Sequence, residues 1–258
     1  MENLLTYENV SYFYQTKNDE IFALNNVNFD VEKESFVSLV GPSGCGKTTI
    51  LSLTAGLLKA SSGKIILDGE DRIDTNKIGY MFQKDYLFEW RTVWKNITLG
   101  IEIQKPKNKE EKLAFAEELL KKYDLYGFKN KKPRALSGGM RQRVALIRTL
   151  ALEPKLLLLD EPFSALDFQT RLSVCDDVYE IIKSEKKTAI LVTHDISEAI
   201  SMSDKIIVLS ARPATVKDTI KLNLQGETPL KKREDPTFAS LFDNIWRQLS
   251  NEKQAKTN

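Results

Sequence analysis

The stretch FVSLVGPSGCGKTTI, residues 36–50, decides the fold of this chain. Its β-branched and aromatic start, residues 36–40, predicts a strand, and residues 48–57 predict a helix. Between them, residues 41–48 fit the pattern G-x-x-x-x-G-K-[ST]. A strand, a glycine-rich loop and a helix in this order are typical of a nucleoside triphosphate site. A glycine-rich turn with a chance lysine is the alternative.

Each residue type in this loop has a chemical reason. Glycines let the backbone curl so that successive N–H groups point at phosphate oxygens, and the helix N-terminus adds the positive end of its dipole. Lys47 supplies a charge for the β- and γ-phosphates, and the Thr48 hydroxyl is a candidate Mg²⁺ ligand. The predicted ATP-binding residues of the loop are Gly41, Pro42, Ser43, Gly44, Cys45, Gly46, Lys47, Thr48 and Thr49.

A candidate acid follows a second apolar strand. Residues 156–161 read LLLLDE, in which the leucines predict a buried strand. Asp160 is predicted to orient the Mg²⁺ shell through water, and Glu161 is the candidate general base for the attacking water. A strand ending in an acidic turn is the alternative, which is weaker when a phosphate-binding loop is present.

Composition is that of a globular protein. The 258 residues carry 38 basic and 36 acidic side chains, so the net charge of +2 gives no argument for nucleic-acid binding. The apolar runs are far shorter than the roughly 18 residues that a membrane-spanning helix needs. The N-terminus has no secretory-signal pattern, which predicts a cytosolic protein. Cys45 and Cys175 have no metal-ligand spacing and are predicted to be free thiols.

Patterning along the chain indicates an α/β protein with an inserted helical segment. Residues 4–10, 27–31 and 64–67 predict strands. After residue 155, continuous apolar strands alternate with helices, as in a buried parallel sheet. We expect a single domain over residues 1–258 with three parts: a core formed by residues 1–83 and 153–235, a helical subdomain over residues 84–152, and a C-terminal helix and tail over residues 236–258.

A second glycine-containing motif, LSGGMRQR, occupies residues 136–143. Ser137 is a good N-cap for the helix predicted after it, and Gly138 and Gly139 allow backbone amides to approach an anion closely. The motif is therefore a candidate second phosphate site. On its own, a plain N-cap and helix start is the preferred interpretation.

LSGGMRQR resembles the signature sequence of the ABC ATPase family. The resemblance covers roughly residues 4–210 and implies the P-loop NTPase ABC ATPase fold: a mostly parallel core sheet with an N-terminal antiparallel β region and an inserted α-helical subdomain. It also implies a homodimer in which two chains pair head to tail, so that Ser137, Gly138 and Gly139 of one chain cover the ATP of the other.

Four further positions resemble landmarks of that family. Gln83 resembles the glutamine that reaches Mg²⁺ and the attacking water. Asp167 ends a SALD segment that resembles the family's dimer-crossing loop, which implies that Asp167 is an ATP-binding residue. His194, the single histidine, resembles the residue that contacts the γ-phosphate; a lone histidine is more often structural, but α/β sites lie at strand ends such as this one. Tyr14 resembles the aromatic that stacks on adenine, with Tyr12 and Phe13 close by and a core aromatic as the alternative.

Several stretches resemble the nitrate, sulfonate and taurine branch of importer ATPases, among them LFEWRTVWKNI at residues 87–97 and DEPFSALD at residues 160–167. This resemblance implies import of a small anion, transmembrane permease subunits, an extracytoplasmic solute-binding protein and a peripheral position on the cytoplasmic face of the membrane. Glu89 replaces the branch's usual proline, and Glu34-Ser35 stands where the family normally has Gly-Glu. The alternatives are a separate-chain ABC exporter and an ABC ATPase that moves no solute.

An apolar run near Gln83 is a candidate contact for a permease. It contains Tyr86, Leu87, Phe88, Trp90 and Val93, which is more apolar surface than a loop needs. Burial in the helical subdomain is the alternative for each of these side chains.

Overall fold

The computed structural model describes residues 2–15 and 19–254, with side chains up to residue 250. Its strands form two sheets. They are β1 (Asn3–Gln15), β2 (Glu20–Glu32), β3 (Phe36–Val40), β4 (Ser62–Leu67), β5 (Ile78–Met81), β6 (Leu156–Asp160), β7 (Thr188–Val192), β8 (Lys205–Leu209) and β9 (Val216–Lys221).

The helices lie between and around these strands. They are α1 (Lys47–Thr54), α2 (Val93–Ile97), α3 (Leu99–Gln104), α4 (Lys109–Lys122), α5 (Gly138–Leu150), α6 (Phe168–Ser184), α7 (Ile196–Met202), α8 (Pro229–Lys232) and α9 (Phe238–Gln254), with short 3₁₀ helices at Thr75–Lys77, Tyr126–Phe128 and Pro133–Ala135. Four α-helices thus fall in the segment that was predicted to be helical. The boundaries proposed for the subdomain remain a prediction, and residues 255–258 of the predicted tail lie outside the described residues.

The larger sheet is mostly parallel, in the order β5-β6-β7-β3-β8-β9. All neighbouring pairs are parallel except β8 and β9. Strands β3, β7 and β8 are buried along their whole length, because apolar clusters cover both faces of the sheet. This is the α/β architecture that the sequence predicted.

The antiparallel sheet, in the order β2-β1-β4, packs against the helix that follows the glycine-rich loop. The buried Tyr7 hydroxyl on β1 donates to the Ile50 carbonyl oxygen at 2.9 Å and lies 2.7 Å from the Thr54 hydroxyl. Both partners are on α1, in its middle and at its end, so these contacts fix that helix relative to the N-terminal sheet.

The structure differs from the sequence predictions at several local points. Strands β1 and β2 extend well beyond the predicted residues 4–10 and 27–31. The helix predicted over residues 48–57 ends at Thr54, and Gly56 has a φ of +70°, a left-handed conformation that an α-helix cannot continue through. Strands β5 and β9 were not predicted. β5 has only four residues, and the edge strand β9 is polar and only partly buried, so pairing with neighbouring strands decides both.

Candidate active site

A cavity of about 580 Å³ opens at the carboxyl end of the parallel sheet. Parallel strands end at the same edge, so residues that are distant in sequence meet there. Strand β3 leads into the glycine-rich loop and lies between β7 and β8, while β6 is the next strand beyond β7. The cavity is lined by Ser43, Gly44, Gly46, Lys47, Thr48, Thr49, Glu161, His194 and Arg212.

The glycine-rich loop depends on Gly46 for its shape. Gly46 has a φ of +128°, and a Cβ there would lie 2.9 Å from Leu24 Cδ2, so a larger residue is excluded by both conformation and space. The Lys47 ammonium group donates to the carbonyl oxygens of Gly41 at 2.8 Å and Pro42 at 3.1 Å. The loop therefore closes around its own lysine.

Cys45 lies under the loop, away from the cavity. Its side chain is buried, and a Cβ on Gly41 would lie 2.8 Å from the Cys45 sulfur. Burial raises the pKa of the Cys45 thiol, although the charge of Lys47 opposes the increase. Cys45 and Gly41 are both predicted to bind the nucleotide. In the structure the Cys45 side chain packs against Gly41, and both residues contribute their backbone to the loop.

Glu161 forms the centre of a polar network at the cavity. Its Oε2 lies 3.2 Å from His194 Nδ1 and accepts a 3.4 Å hydrogen bond from Gln83 Nε2. The same Gln83 nitrogen donates to the Ser164 hydroxyl at 3.1 Å, and that hydroxyl donates to the Glu161 carbonyl oxygen at 3.0 Å. The fold thereby assembles the three predicted catalytic residues around one carboxylate.

Asp160 has a partner that the sequence did not indicate. The Tyr80 hydroxyl on β5 donates to Asp160 Oδ2 at 3.1 Å. Burial raises the pKa of Asp160, and the neighbouring Glu161 adds to the increase, while Tyr80 and Lys47 counteract it. Recognition of β5 beside β6 would have been the signal for this contact.

Tyr14 lies beside the helix that begins at the loop. Its hydroxyl is 3.0 Å from the Thr49 hydroxyl, and its ring meets Tyr12 edge-on at 4.9 Å. The Tyr14 side chain is half-exposed, whereas Phe13 packs against Phe22. Of the three neighbouring aromatics, Tyr14 is the one that contacts a lining residue of the cavity.

The signature motif does not reach this cavity within the chain. The Ser137 hydroxyl accepts a 3.3 Å hydrogen bond from the Met140 N–H and caps α5, as the plain N-cap interpretation predicted. A Cβ on Gly139 would lie 2.8 Å from Val174 Cγ2, so close packing on α6 requires glycine there. Asp167 caps α6 by accepting from the Thr170 N–H at 3.0 Å.

A second cavity, of about 510 Å³, lies between the signature helix and the segment after Gln83. We call it the signature cavity and the first one the phosphate cavity. Because Gln83 lines the signature cavity and also binds Glu161, it connects the two. The signature cavity is lined by Gln83, Lys84, Asp85, Tyr86, Leu87, Gly138, Arg141, Gln142, Ala165 and Leu166.

Arg141 holds the segment after Gln83 against α5. Its guanidinium group binds Asp85 with two hydrogen bonds, of 2.8 and 3.1 Å, and Glu89 with one of 2.7 Å. Arg148, in the last turn of the same helix, donates to the backbone oxygens of Asp85 and Tyr86. Glu89, which departs from the pattern of the importer branch, therefore forms an ion pair with the signature helix.

The apolar run after Gln83 divides between core and surface. Leu87 and Val93 are buried in the helical core, and Phe88 is partly buried. Trp90 is 72% exposed and Tyr86 59% exposed. The alternative of burial thus applies to part of the run, and an aromatic surface is left at the edge of the signature cavity.

Comparison with known proteins decides the family. The family model described as "ABC transporter" matches residues 24–164, which include the glycine-rich loop, Gln83, the signature and Glu161. The chain belongs to the ABC transporter family. It is an ATPase of that family, and the P-loop fold inferred from the sequence is confirmed.

Its relatives among ABC ATPases include named importers. The ABC transporter ATP-binding protein YtlC of Bacillus subtilis is 46% identical, with 98% of this chain and 99% of YtlC covered. The aliphatic sulfonates import ATP-binding protein SsuB of Bacillus thuringiensis is 41% identical, with 93% of each chain covered. The nitrate import ATP-binding protein NrtD of Synechocystis is 38% identical, also with 93% of each chain covered.

Solved ABC ATPases share the fold. The dimeric post-hydrolysis structure of the ATP-binding cassette MJ0796 bound to ADP and Pi superposes with a TM-score of 0.70 at 32% identity, over 85% of this chain and 99% of MJ0796. Within the part of the present ABC ATPase that the structure describes, no helix has both the length and the apolar character needed to cross a membrane.

Proposed function

We propose that this ABC ATPase drives an importer as a head-to-tail homodimer. The observation that carries the proposal is that one chain supplies only one side of the phosphate cavity. Glu161, His194 and Gln83 surround the phosphate cavity, whereas Ser137 faces away from it as a helix cap. A second copy, placed so that its signature covers the phosphate cavity, would supply the missing side of the site.

The glycine-rich loop binds the phosphates of ATP in this proposal. Residues 41–49 offer backbone N–H groups at the N-terminus of α1, together with the Lys47 ammonium group. Lys47 exchanges its present carbonyl partners for phosphate oxygens, which form stronger, charge-assisted hydrogen bonds. Tyr14, whose hydroxyl contacts that of Thr49 on α1, stacks on the adenine base in this proposal.

The donor set at the cavity suits Mg²⁺. The Thr48 hydroxyl, the Gln83 amide oxygen and the Asp160 carboxylate are all hard oxygen ligands, and Mg²⁺ is commonly held by a few such groups together with phosphates and water. The partly buried Asp160 carboxylate, with Tyr80 as its hydrogen-bond donor, is one such ligand. When bound, the ion neutralises charge on the transferring phosphoryl group.

Hydrolysis in this site needs mainly positioning and charge neutralisation. Glu161 holds the attacking water. The water oxygen bonds to the γ-phosphorus while the bond from the γ-phosphorus to the bridging oxygen breaks, and a proton of the water passes to the Glu161 carboxylate. His194 and the partner's signature stabilise the γ-phosphate. The hydrogen bonds of Glu161 to Gln83 and His194 fix the carboxylate in place before the reaction.

Coupling to transport runs through Gln83 and the signature cavity. Gln83 binds Glu161 in one cavity and lines the other, where Arg141 clamps the segment that carries the exposed Tyr86 and Trp90. Exposed aromatic side chains are enriched at protein interfaces. We infer that transmembrane permease subunits dock there, and that the helical subdomain, residues 84–152, moves with them as ATP binds and is hydrolysed.

The transported solute is inferred from the relatives. SsuB and NrtD are named for import of aliphatic sulfonates and of nitrate. We infer a small anion of the nitrate, sulfonate or taurine type, delivered by an extracytoplasmic solute-binding protein. The ATPase itself would then lie peripherally on the cytoplasmic face of the membrane, attached through its permease.

ATP-driven dimerisation of a Glu161→Gln variant tests the proposal. With Mg-ATP, light scattering should detect a stable dimer of the variant, and steady-state hydrolysis should fall by roughly 10²- to 10⁴-fold, the usual range for loss of a general base. Wild-type protein with ADP, which lacks the γ-phosphate, is the control and should stay monomeric. A variant that hydrolyses ATP like wild type and never dimerises would refute both the role of Glu161 and the composite site.

A further inference from the structure

Arg212 is a lining residue of the phosphate cavity that no motif predicted. It follows β8, which is the neighbour of β3 on the side opposite β7. The end of β3 is therefore flanked by His194 on one side and Arg212 on the other. This is the edge of an α/β sheet at which ligands bind.

The Arg212 side chain has no hydrogen-bond or ion-pair partner in the part of the chain that the structure describes. It is exposed, and its guanidinium group forms neither a hydrogen bond nor an ion pair with residues 2–15 and 19–250. Its charge is close enough to the loop to oppose, together with that of Lys47, the effect of burial on the Cys45 thiol. A cation thus lies beside the phosphate-binding loop with its donors unused.

The backbone that carries Arg212 is anchored on both sides. The Ser210 N–H donates to the Thr215 carbonyl oxygen at 3.0 Å, and the Thr215 N–H donates to the Ser210 hydroxyl at 2.9 Å. Between them, the fully buried Ala214 donates to the Ala23 carbonyl oxygen and accepts from the Asn25 N–H, both at 2.9 Å. The short loop is therefore held against β2, and only the arginine side chain remains free to turn toward a ligand.

The charges at the cavity favour an anion near Arg212. Two cations, Lys47 and Arg212, line the phosphate cavity. Glu161 is the one acidic residue that lines it in the described part of the chain. Glu161 is already bound to Gln83 and His194. A guanidinium group offers a planar fork of N–H donors that matches the oxygens of a phosphate.

We propose that Arg212 binds a phosphate of ATP in this cavity, an inference that rests on the ATP site proposed above. Lys47 reaches the phosphates from the glycine-rich loop after β3, and Arg212 reaches them from the loop after the neighbouring strand β8. Because the β8–β9 loop is anchored, little backbone entropy is lost when the side chain engages the ligand.

Nucleotide titrations of an Arg212→Gln variant test this role. Gln keeps a polar side chain of similar reach but has no charge. Binding of ATP and of adenosine is measured in EDTA, which prevents hydrolysis, at protein concentrations at which light scattering gives a monomer. We expect ATP affinity to fall about five- to tenfold, between the effect of an exposed ion pair and that of a charge-assisted hydrogen bond. Adenosine affinity should not change, since adenosine has no phosphate.

Two further variants make the result specific. Arg212→Lys keeps the charge and should recover most of the ATP affinity. Arg247→Gln removes an exposed arginine of α9, which does not line the cavity, and should match wild type. Melting curves without nucleotide check that all variants fold alike.

Each outcome has one meaning. If Arg212→Gln binds ATP as tightly as Arg247→Gln, the inference is wrong, and a loss seen only in Mg-ATP-dependent dimerisation would place Arg212 against a second copy instead. An equal loss for ATP and adenosine would also overturn it, because Arg212 would then contact the nucleoside. If neither wild type nor Arg247→Gln binds ATP, the proposed ATP site fails as well.

Discussion

The phosphate cavity and the signature cavity are built by different means. Strand ends of one parallel sheet bring Glu161, His194 and Arg212 to the phosphate cavity. The signature cavity lies between α5 and the non-helical segments at residues 83–87 and 165–166, and Arg141 of α5 clamps the first of these segments. Ser137 and Asp167, next to this cavity in sequence, serve as helix caps. In the first cavity the guanidinium group of Arg212 has no partner among the described residues, whereas in the second Arg141 and Asp85 form an ion pair with each other. The position of the signature outside the phosphate cavity supports the proposal that it acts on a nucleotide bound by another copy.

The largest expected effect separates the two cavities by mutation. Lys47→Ala removes the charge of the phosphate cavity and should weaken ATP binding by roughly 10- to 150-fold, the range for a charge-assisted hydrogen bond. Ser137→Arg should leave ATP affinity of the monomer within about twofold and abolish hydrolysis, because the blocked signature belongs to the other site; the small loss in stability corresponds to the missing cap. Nucleotide titration and an ATPase assay measure the two effects.

Mixing these two variants sharpens the comparison. In a mixed dimer, one site combines the intact loop of the Ser137→Arg chain with the intact signature of the Lys47→Ala chain. At an ATP concentration too low to saturate Lys47→Ala, we therefore expect the mixture to hydrolyse ATP faster than either variant alone. A mixture no faster than its components would mean that the loop and the signature of the same chain act together, contrary to the separation described above.

A stability change is expected from the clamp at the signature cavity. Asp85→Asn removes the carboxylate that Arg141 binds with two hydrogen bonds and should lower the free energy of unfolding by about 1–3 kcal/mol. Glu89→Gln, which breaks the more exposed contact of the same arginine, should cost less than about 1 kcal/mol. Denaturant titrations measure both, and a larger loss for Glu89→Gln would reverse the order of importance.

The same clamp predicts a pH dependence. Burial raises the pKa of Asp85, but hydrogen bonds from Arg141 and from the Leu87 N–H lower it by more than burial raises it. The pKa of Asp85 in the folded protein therefore lies below its ordinary value. The stabilisation is therefore complete above about pH 4, near the unfolded pKa, and is lost as pH falls through the lower folded pKa. Asp85→Asn should lack this part of the acid sensitivity in melting experiments.

Tyr14 tests the base-binding side of the phosphate cavity. Tyr14→Ala should weaken ATP binding by about tenfold, since stacking of an aromatic side chain on a base contributes roughly 1–3 kcal/mol. Tyr14→Phe keeps the ring and loses only the contact with Thr49, so its affinity should stay close to that of wild type. An unchanged affinity for Tyr14→Ala would assign adenine stacking to another side chain.

The smallest expected effect concerns Asp160. Tyr80→Phe removes the hydroxyl that donates to this carboxylate and should weaken Mg²⁺ binding roughly fivefold, as expected for one hydrogen bond of about 1 kcal/mol. Binding of Mn²⁺ as a spectroscopic substitute measures this without reference to turnover. Equal metal affinity in Tyr80→Phe and wild type would show that Asp160 is positioned by its strand alone.

The sequence by itself determined the family, the glycine-rich loop, the buried strands and the residues proposed for the site other than Arg212. These features are encoded in contiguous stretches: the glycines that the loop backbone requires, the apolar runs of β3, β6 and β7, and the N-cap Ser137. Only the tertiary structure decided that Tyr80 binds Asp160, that Arg212 lines the phosphate cavity and that the signature lies outside it. The physical reason is that these relations depend on the order of strands in the sheet and on helix packing, which join residues tens of positions apart and leave no local pattern in the sequence.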